Sequence, residues 1–469
     1  MGVVDDGTRA TEPPAMRTPS VKKPMPKAAT TAAAAKEAIA ARAPKKAPKK
    51  ALAASKKAAS KKASVRVSDG SVWRDRPSLL PLLQLLWREQ RISRAELARR
   101  NDLSRSTVSE LIDVLMDHRL VRESGTGESR GGRRPIMLEF RDDAWLIIGV
   151  DLGAAHVSVC LTDLRCTELA WASAPHPVRD DPDGTRATIE RLCDQVLKQV
   201  NDSSSSRLLG IGVGVPSPVD PRRPDHLSEV VLPAWHGRGV KASLEARYNV
   251  PVLVDNDANL GALAESWWGR SKDVSESCFV KVATGIGSGH IIRGQIYRGA
   301  SGIAGEIGHM TINERGERCL CGLRGCLVTS IGTAALLARA TEVGVEAHLT
   351  SSIGALEDAA MAGDARAMSV FEEAADHLGT ALANVINLLN PAVVAVGGTI
   401  TRVGPAFFGP LRAAVRNRTL VTSAAVAEIV PSALGDRVVA LGAATFVLQE
   451  ALNDPASFLS PGRRALPRS

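Results

Sequence analysis

The sequence predicts a mixed α/β protein of 469 residues: a winged helix-turn-helix head followed by a two-lobed α/β body, with a basic tail ahead of both. Three observations carry this expectation. The first seventy residues are a low-complexity mixture of Ala, Lys, Pro, Ser and Thr. Two helices with capping residues and a short link are followed at once by a glycine-flanked arginine hairpin. From Leu146 onward apolar strands alternate with helical segments, with glycine turns at the strand ends.

Residues 1–70 contain the near-repeats "APKKAPKK" and "ASKKAASKKA" among sparse apolar residues. Such a segment cannot bury enough surface to offset its ordering entropy, so it reads as disordered, and it resembles the basic tails of linker histones. The tail carries 12 Lys and 4 Arg against 5 acids, a charge of +11; residues 71–140 carry +3 and the remainder −5. The net charge of +9 therefore belongs to the first third of the chain, where a polyanion would be held. Two readings stay open for such a tail: a solvated segment with little effect, or a non-specific phosphate tether that raises DNA affinity in a salt-dependent way. No run of about 18 apolar residues suggests a membrane span. No apolar stretch follows the basic N-terminus as a secretory signal requires. Cys160, Cys166, Cys193 and Cys278 are scattered and read as core thiols, and the expected location is the cytoplasm, at the nucleoid.

Order is expected from about Trp73. "PSLLPLLQLLWREQ" has apolar residues at helical spacing and predicts a first helix. In "ISRAELARRNDLSRSTVSELIDVLMDHRLVRE", Ser93 and Glu96 fit a capping box and Ser104 opens a second helix, with Val108, Leu111, Ile112 and Leu115 as its buried stripe. This leaves Arg105, Ser106 and Ser109 near the start of that helix and off the stripe, where a helix-turn-helix meets base edges and phosphates. "GTGESRGGRRPIMLEF" then supplies a wing whose Arg133 and Arg134 are shaped to enter a minor groove.

In the body, "WLIIGVDLGAAHVSVCLTDL" reads as an apolar hairpin around a glycine turn, and "SCFVKVATGIGSGHIIRG" as another. "LLGIGVGVPSPVD" and "VPVLVDNDANLGALAE" are two buried strands, the second running into a helix. "ALANVINLLNPAVVAVGGTI" is a long helix, a break at proline and a strand ending in Gly397-Gly398. Such an order places a ligand at the carboxyl ends of the strands.

Two constellations point to chemistry. His309 with Cys319, Cys321 and Cys326 supplies one imidazole and three thiolates, a full tetrahedral set for Zn2+. With four protein ligands no position is left for water, so the metal would be a structural clip, in preference to a redox switch. "VDNDAN" places Asp255 and Asp257 on opposite sides of a strand end around Asn256. An aspartate there can act as a general base, can hold a sugar hydroxyl, or can simply cap the helix that follows. Glu306 lies three residues before His309, so one face can present both, with the imidazole oriented by the metal.

Together these residues resemble the ROK family (repressor, open reading frame, kinase), and within it the sugar-responsive regulators. "SRAELARRNDLSRSTVSELIDVL" and "GGRRP" look like the DNA-binding part of the actinobacterial members, and "GEIGHM…CLCGLRGC" like the family signature. The tail over 1–70 lies outside the resemblance, which implies a DNA-binding domain over 71–140 and a ROK domain over 141–469 with the actin-like, ribonuclease-H-like ATPase fold. It implies zinc on His309, Cys319, Cys321 and Cys326. In the family's sugar kinases the position of Asp257 is the catalytic base, and those of Asn256, Glu306 and His309 hold sugar hydroxyls. Three departures accompany it. The kinases begin Asp-x-Gly-Gly-Thr, whereas this chain has Asp151-Leu152-Gly153-Ala154-Ala155, which adds a Cβ and removes a hydroxyl where ATP phosphates are approached. Ser288 replaces a glycine in the second turn, which keeps Thr284, Gly285, Gly287 and Gly289. Val328 stands where the family has a sugar-contacting Glu and cannot accept a hydrogen bond. The resulting expectation is a repressor of carbohydrate-related genes without kinase activity, with Asp257 a vestigial base. Its partners would be operator DNA, a sugar or sugar-phosphate effector, and further copies of itself in a homodimer or homotetramer. The alternatives are a sugar kinase with an accessory DNA-binding domain and a nucleoid-associated protein that binds without sequence preference.

Overall fold

The computed structural model describes residues 71–127, 134–200, 207–420, 422 and 427–459. The basic tail, and Arg133 in the wing, lie outside the described residues.

The head contains α1 (Ser71–Asp75), α2 (Leu79–Glu89), β1 (Arg91–Ser93), α3 (Arg94–Arg100), α4 (Arg105–Asp117), β2 (Val121–Thr126) and β3 (Ile136–Phe140). Its strands pair antiparallel in the order β1-β3-β2. Both caps form: Ser93 Oγ accepts from the Glu96 N–H and Ser104 Oγ from the Thr107 N–H, each at 3.1 Å. The return half of the predicted box is replaced, because the Glu96 carboxylate is taken by Arg99 and Arg100. The expected stripe of α4 is buried.

This head has no separate core. Leu82, Leu86, Leu97, Val108 and Ile112 belong to one apolar cluster with Trp145, Leu164, Leu448 and Phe458 of the body. Polar contacts reinforce the seam: Gln84 Nε2 donates to Leu452 O at 3.1 Å and Trp87 Nε1 to Leu164 O at 3.0 Å. Arg165 donates to Trp87 O, stacks 4.5 Å above the Trp87 ring and pairs with Asp142 at 2.8 Å.

The body's first sheet is built from β4 (Leu146–Leu152), β5 (His156–Thr162), β6 (Glu168–Pro175), β7 (Leu208–Val215) and β8 (Val252–Asn256), with α5 (Pro182–Val200) and α6 (Lys241–Tyr248) inserted. Helix α7 (Asp257–Trp268) leaves β8 directly. The second sheet is built from β9 (Ser277–Val282), β10 (Ile286–Ile292), β11 (Gln295–Ile296), β12 (Val393–Gly397) and β13 (Glu428–Pro431). Between β11 and β12 come α8 (Val328–Ile331), α9 (Thr333–Glu342), α10 (Ile353–Met361) and α11 (Ala365–Leu389); α12 (Pro405–Arg416) precedes β13, and α13 (Val438–Asn453) and α14 (Pro455–Leu459) follow it.

The strand orders, β6-β5-β4-β7-β8 and β11-β10-β9-β12-β13, are the same topology used twice. In each sheet the first three strands form an antiparallel meander, while the first, fourth and fifth run parallel. This is the duplicated actin-like architecture. Helix α13 packs on β4 and β7, α7 packs on β9 and β10, and the two helices pack on each other. Their close approach depends on missing side chains. A Cβ at Gly212 would lie 2.0 Å from Ala443 O, and one at Gly442 would lie 2.0 Å from Leu260 O.

The β9–β10 hairpin is held from behind by Ser288, whose hydroxyl lies 3.0 Å from Gly305 O and 2.9 Å from Nε2 of the buried His290. A carbonyl only accepts, so Ser288 donates to Gly305 and His290 donates to Ser288. Ser288 therefore faces inward and does not crowd the hairpin tip. Burial holds the His290 pKa down at about 4. The unfolded chain, with an ordinary imidazole, takes up a proton below about pH 6.5 that the native state refuses until about pH 4. Stability is thus full above pH 6.5 and declines on acidification by about 3 kcal/mol from this group alone. Denaturant titrations across this range are expected to give a flatter pH slope for His290→Asn than for the unaltered chain.

Candidate functional site

The site begins where β8 becomes α7. Asn256 is the cap of that helix: its Oδ1 accepts from the N–H groups of Ala258 and Asn259 at 2.9 and 3.2 Å. Its amide donates to Ser217 O at 3.3 Å and to Asp257 Oδ1 at 3.1 Å. The capping role open to an aspartate in the sequence is filled by this asparagine. Asp257 becomes the first helical residue, with Oδ1 also accepting from the Ala258 N–H at 2.7 Å. Asp255 is buried and fully engaged: Arg298 donates to its Oδ2 at 2.6 and 2.8 Å, and the Asn256 N–H and Asn259 Nδ2 donate to its Oδ1. It serves as an anchor for Arg298, leaving Asp257 as the carboxylate turned toward the second sheet.

Sequence reasoning missed the partner of Asp257. Lys281, on β9 of the second sheet, places Nζ 2.8 Å from Asp257 Oδ2 and 4.0 Å from Asp151 Oδ1. Burial alone works against this ammonium, but the Asp257 and Asp151 charges more than offset it and its pKa is raised. Burial likewise opposes ionisation of Asp151, yet Lys281 and His156 hold its carboxyl below the usual range. The signal available in the sequence was a lone lysine inside "SCFVKV", a strand otherwise free of charge.

His156 was missed as well. Its Nε2 lies 3.3 Å from Asp151 Oδ2, and its ring lies directly over Gly153. The mouth of the β4–β5 hairpin thus carries an imidazole beside the exposed Ala154 and Ala155.

In the second lobe a 3-10 turn over Ile307–His309 brings Glu306 and His309 to one face, with Glu306 Oε2 3.9 Å from His309 Nε2. Burial, aided by the Asp257 charge, pushes the Glu306 carboxyl up to about 7. The other ring nitrogen of His309, Nδ1, points to Cys319 Sγ at 3.6 Å, and Cys321 Sγ lies 3.7 Å from Cys326 Sγ. The donor atoms of His309, Cys319, Cys321 and Cys326 all lie within 4.8 Å of one another. Three soft thiolates and an imidazole so placed fit a tetrahedral metal ion. The loop closes on itself through bridges between Thr311 and Cys326 and between Arg318 and Arg324. Gly325, at φ 65°, makes this closure possible, since a Cβ there would meet Asn313 O at 1.6 Å. Val328 opens α8 and packs against the core of the second lobe.

The residues expected to meet nucleic acid stand at the start of α4. Arg105 and Ser106 are exposed and Ser109 is half-buried. Ser106 shares the cap, its Oγ 2.7 Å from Ser104 Oγ. Arg94 is drawn to Glu123 of the wing at 2.9 Å, whereas Arg105 has no ion-pair partner among the described residues. Arg134 is exposed at the base of the wing.

Residues 147–450 match the model of the ROK family. The chain is 32% identical over 372 residues to the xylose repressor of Bacillus subtilis (strain 168), covering 79% of this chain and 95% of that protein. It is 31% identical over 373 residues to the DNA-binding transcriptional dual regulator NagC of Escherichia coli (strain K12), covering 77% and 90%. The crystal structure of a ROK family transcriptional regulator, a homolog of the E. coli MLC protein, superposes with a TM-score of 0.68 over 82% of this chain and 99% of that one. At 24% identity this last likeness is one of fold. Among the described residues no helix is long and apolar enough to cross a membrane. With the family model spanning both lobes and two named relatives aligned across head and body, the chain belongs to the ROK family.

Proposed function

We infer that the protein is a transcriptional repressor of carbohydrate-related genes, in which a sugar bound in the interlobe cleft alters operator affinity. The observation that carries this reading is the course of α7. Its first turn holds Asn256 and Asp257; its last holds Trp267 and Trp268. The Trp267 ring packs on Trp87 of the head helix α2, with centroids 5.6 Å apart. Trp268 continues the stack at 5.7 Å and donates from Nε1 to Thr445 of α13 at 2.8 Å. A helix of 12 residues, about 18 Å long, therefore joins the candidate sugar site to the head without a flexible element between. The names of relatives, a xylose repressor and an N-acetylglucosamine repressor, support the same reading.

In this function Asp257, Asn256, Glu306 and His309 hold sugar hydroxyls. A structural Zn2+ on His309, Cys319, Cys321 and Cys326 fixes the imidazole so that Nε2 faces the sugar beside Glu306. Arg105, Ser106 and Ser109 read the major groove, the wing with Arg133 and Arg134 enters the minor groove, and residues 1–70 tether the assembly, a homodimer or homotetramer, to phosphates. Kinase chemistry has been lost at the β4–β5 hairpin. Ala154 and Ala155 offer a phosphate neither a glycine backbone nor a hydroxyl, and His156 covers Gly153. Asp257 then binds without abstracting a proton. Sugar-dependent release requires only that the sugar bind more tightly to the arrangement in which the head is turned from its operator.

Three outcomes are expected. In footprinting and gel-shift titrations the full chain protects a discrete operator, and Arg105→Ala weakens that operator about tenfold or more while changing random-sequence affinity far less. Elemental analysis finds one zinc per chain; Cys326→Ser removes it, lowers the melting temperature and costs about tenfold or more in sugar affinity. Trp267→Ala binds operator and sugar within a few-fold of the unaltered chain but loses most of the sugar-induced release, about a tenfold drop in coupling. A protein with no preferred DNA site, or with undiminished release in Trp267→Ala, contradicts the reading.

A further inference from the structure

The cleft contains a charge arrangement that sugar binding does not require. Asp151 lies one residue before the end of β4 and Asp257 starts α7 directly after β8, so both belong to the first lobe, and both are buried. Each lies within 4.0 Å of a single nitrogen, Lys281 Nζ, which comes from β9 of the second sheet. The bridge is asymmetric. Asp257 Oδ2 accepts a hydrogen bond from Lys281 at 2.8 Å, whereas Asp151 Oδ1, 4.0 Å away, is buried with no hydrogen-bond partner. The remaining titratable neighbours are His156, on the other oxygen of Asp151, and Glu306, whose carboxyl senses the Asp257 charge.

Two carboxylates converging in a water-poor cleft cannot both stay ionised without a cation between them. In phosphoryl-transfer sites divalent ions do this work while neutralising the phosphates. Here a covalently attached ammonium occupies the position. The geometry points to Lys281 as the resident cation of the cleft, a positioning residue that replaces a divalent metal ion between Asp151 and Asp257 and ties the two sheets together. Three consequences follow from its chemistry. A side-chain cation is present at all times, so the cleft needs no metal or nucleotide to be assembled. The ammonium keeps Asp257 oriented as an acceptor for a ligand hydroxyl while its own positive charge discourages proton abstraction by that carboxylate. The unmade contact to Asp151 Oδ1 leaves one acceptor that a small closing movement of the sheets would satisfy.

The inference concerns the charge balance of the cleft, and its test uses neither DNA nor sugar, so it stands apart from the regulatory reading. Mn2+ is titrated into the full-length protein by calorimetry and followed by electron paramagnetic resonance. The unaltered chain and Lys281→Arg are expected to show no saturable site in the millimolar range. Lys281→Ala, with its fold checked by circular dichroism, is expected to gain one Mn2+ site at least about tenfold tighter, lost again when Asp151→Asn is added. A folded Lys281→Ala with no gain in Mn2+ affinity, or an unaltered chain that binds Mn2+ as tightly as the variant, overturns the inference. Should Lys281→Ala fail to fold, the charge-balanced pair Lys281→Met with Asp151→Asn carries the test. It is expected to recover a large part of the melting temperature lost in the single variants that can be purified, and losses that merely add would overturn the proposal.

Discussion

Everything in the body is referred to a single close contact, the meeting of α7 and α13 between two sheets. Gly442 brings the α13 backbone against Leu260 of α7, and Gly212 brings the first sheet against Ala443 of the same helix. With so little between them, neither helix can shift without displacing a sheet. The ends of α7 are pinned as firmly. At its start Asp255 holds Arg298, which also stacks on Phe446 of α13 at 5.4 Å. Near its end the buried Glu265 accepts from the Ser432 hydroxyl and from the N–H groups of Ala433 and Arg270. Helix α7 is held as a rod because the carboxylates at its two ends, Asp255 and Glu265, are buried and hydrogen-bonded.

That rigidity gives the cysteine loop its meaning. A loop with left-handed glycine at 325 and exposed leucines at 320 and 323 has little apolar core of its own. Its order comes from the donor set converging on one point and from the bridges that close it. One nitrogen of His309 faces that point and the other faces Glu306. The clip and the cleft are thus two sides of one imidazole ring.

Much of this was legible in the sequence where the cause is local. A serine three residues ahead of a backbone donor marks a cap, and both Ser93 and Ser104 form one. Cysteines spaced closely around glycines can only converge, and with His309 they do. Alternating apolar strands and glycine turns were enough to recover both hairpins and the strand that feeds α7. What escaped was decided by long-range pairing. Nothing near Lys281 in the chain announces that two carboxylates 24 and 130 positions earlier will surround it. His156 looked like any residue after a turn, yet it covers the hairpin that the two alanines had already altered. The cap of α7 fell to Asn256 because the neighbouring aspartate was drawn toward a cation from the other sheet. Glu96, adjacent to its serine cap, found two arginines on the next turn more attractive than the cap itself.

The undivided interior of head and body has an evolutionary corollary. A head whose hydrophobic underside is completed by Trp145, Leu164, Leu448 and Phe458 cannot be exchanged by itself at the point where the polypeptide leaves β3. Any successful graft must carry the C-terminal helix along with the head, although the two are separated by some three hundred residues of chain.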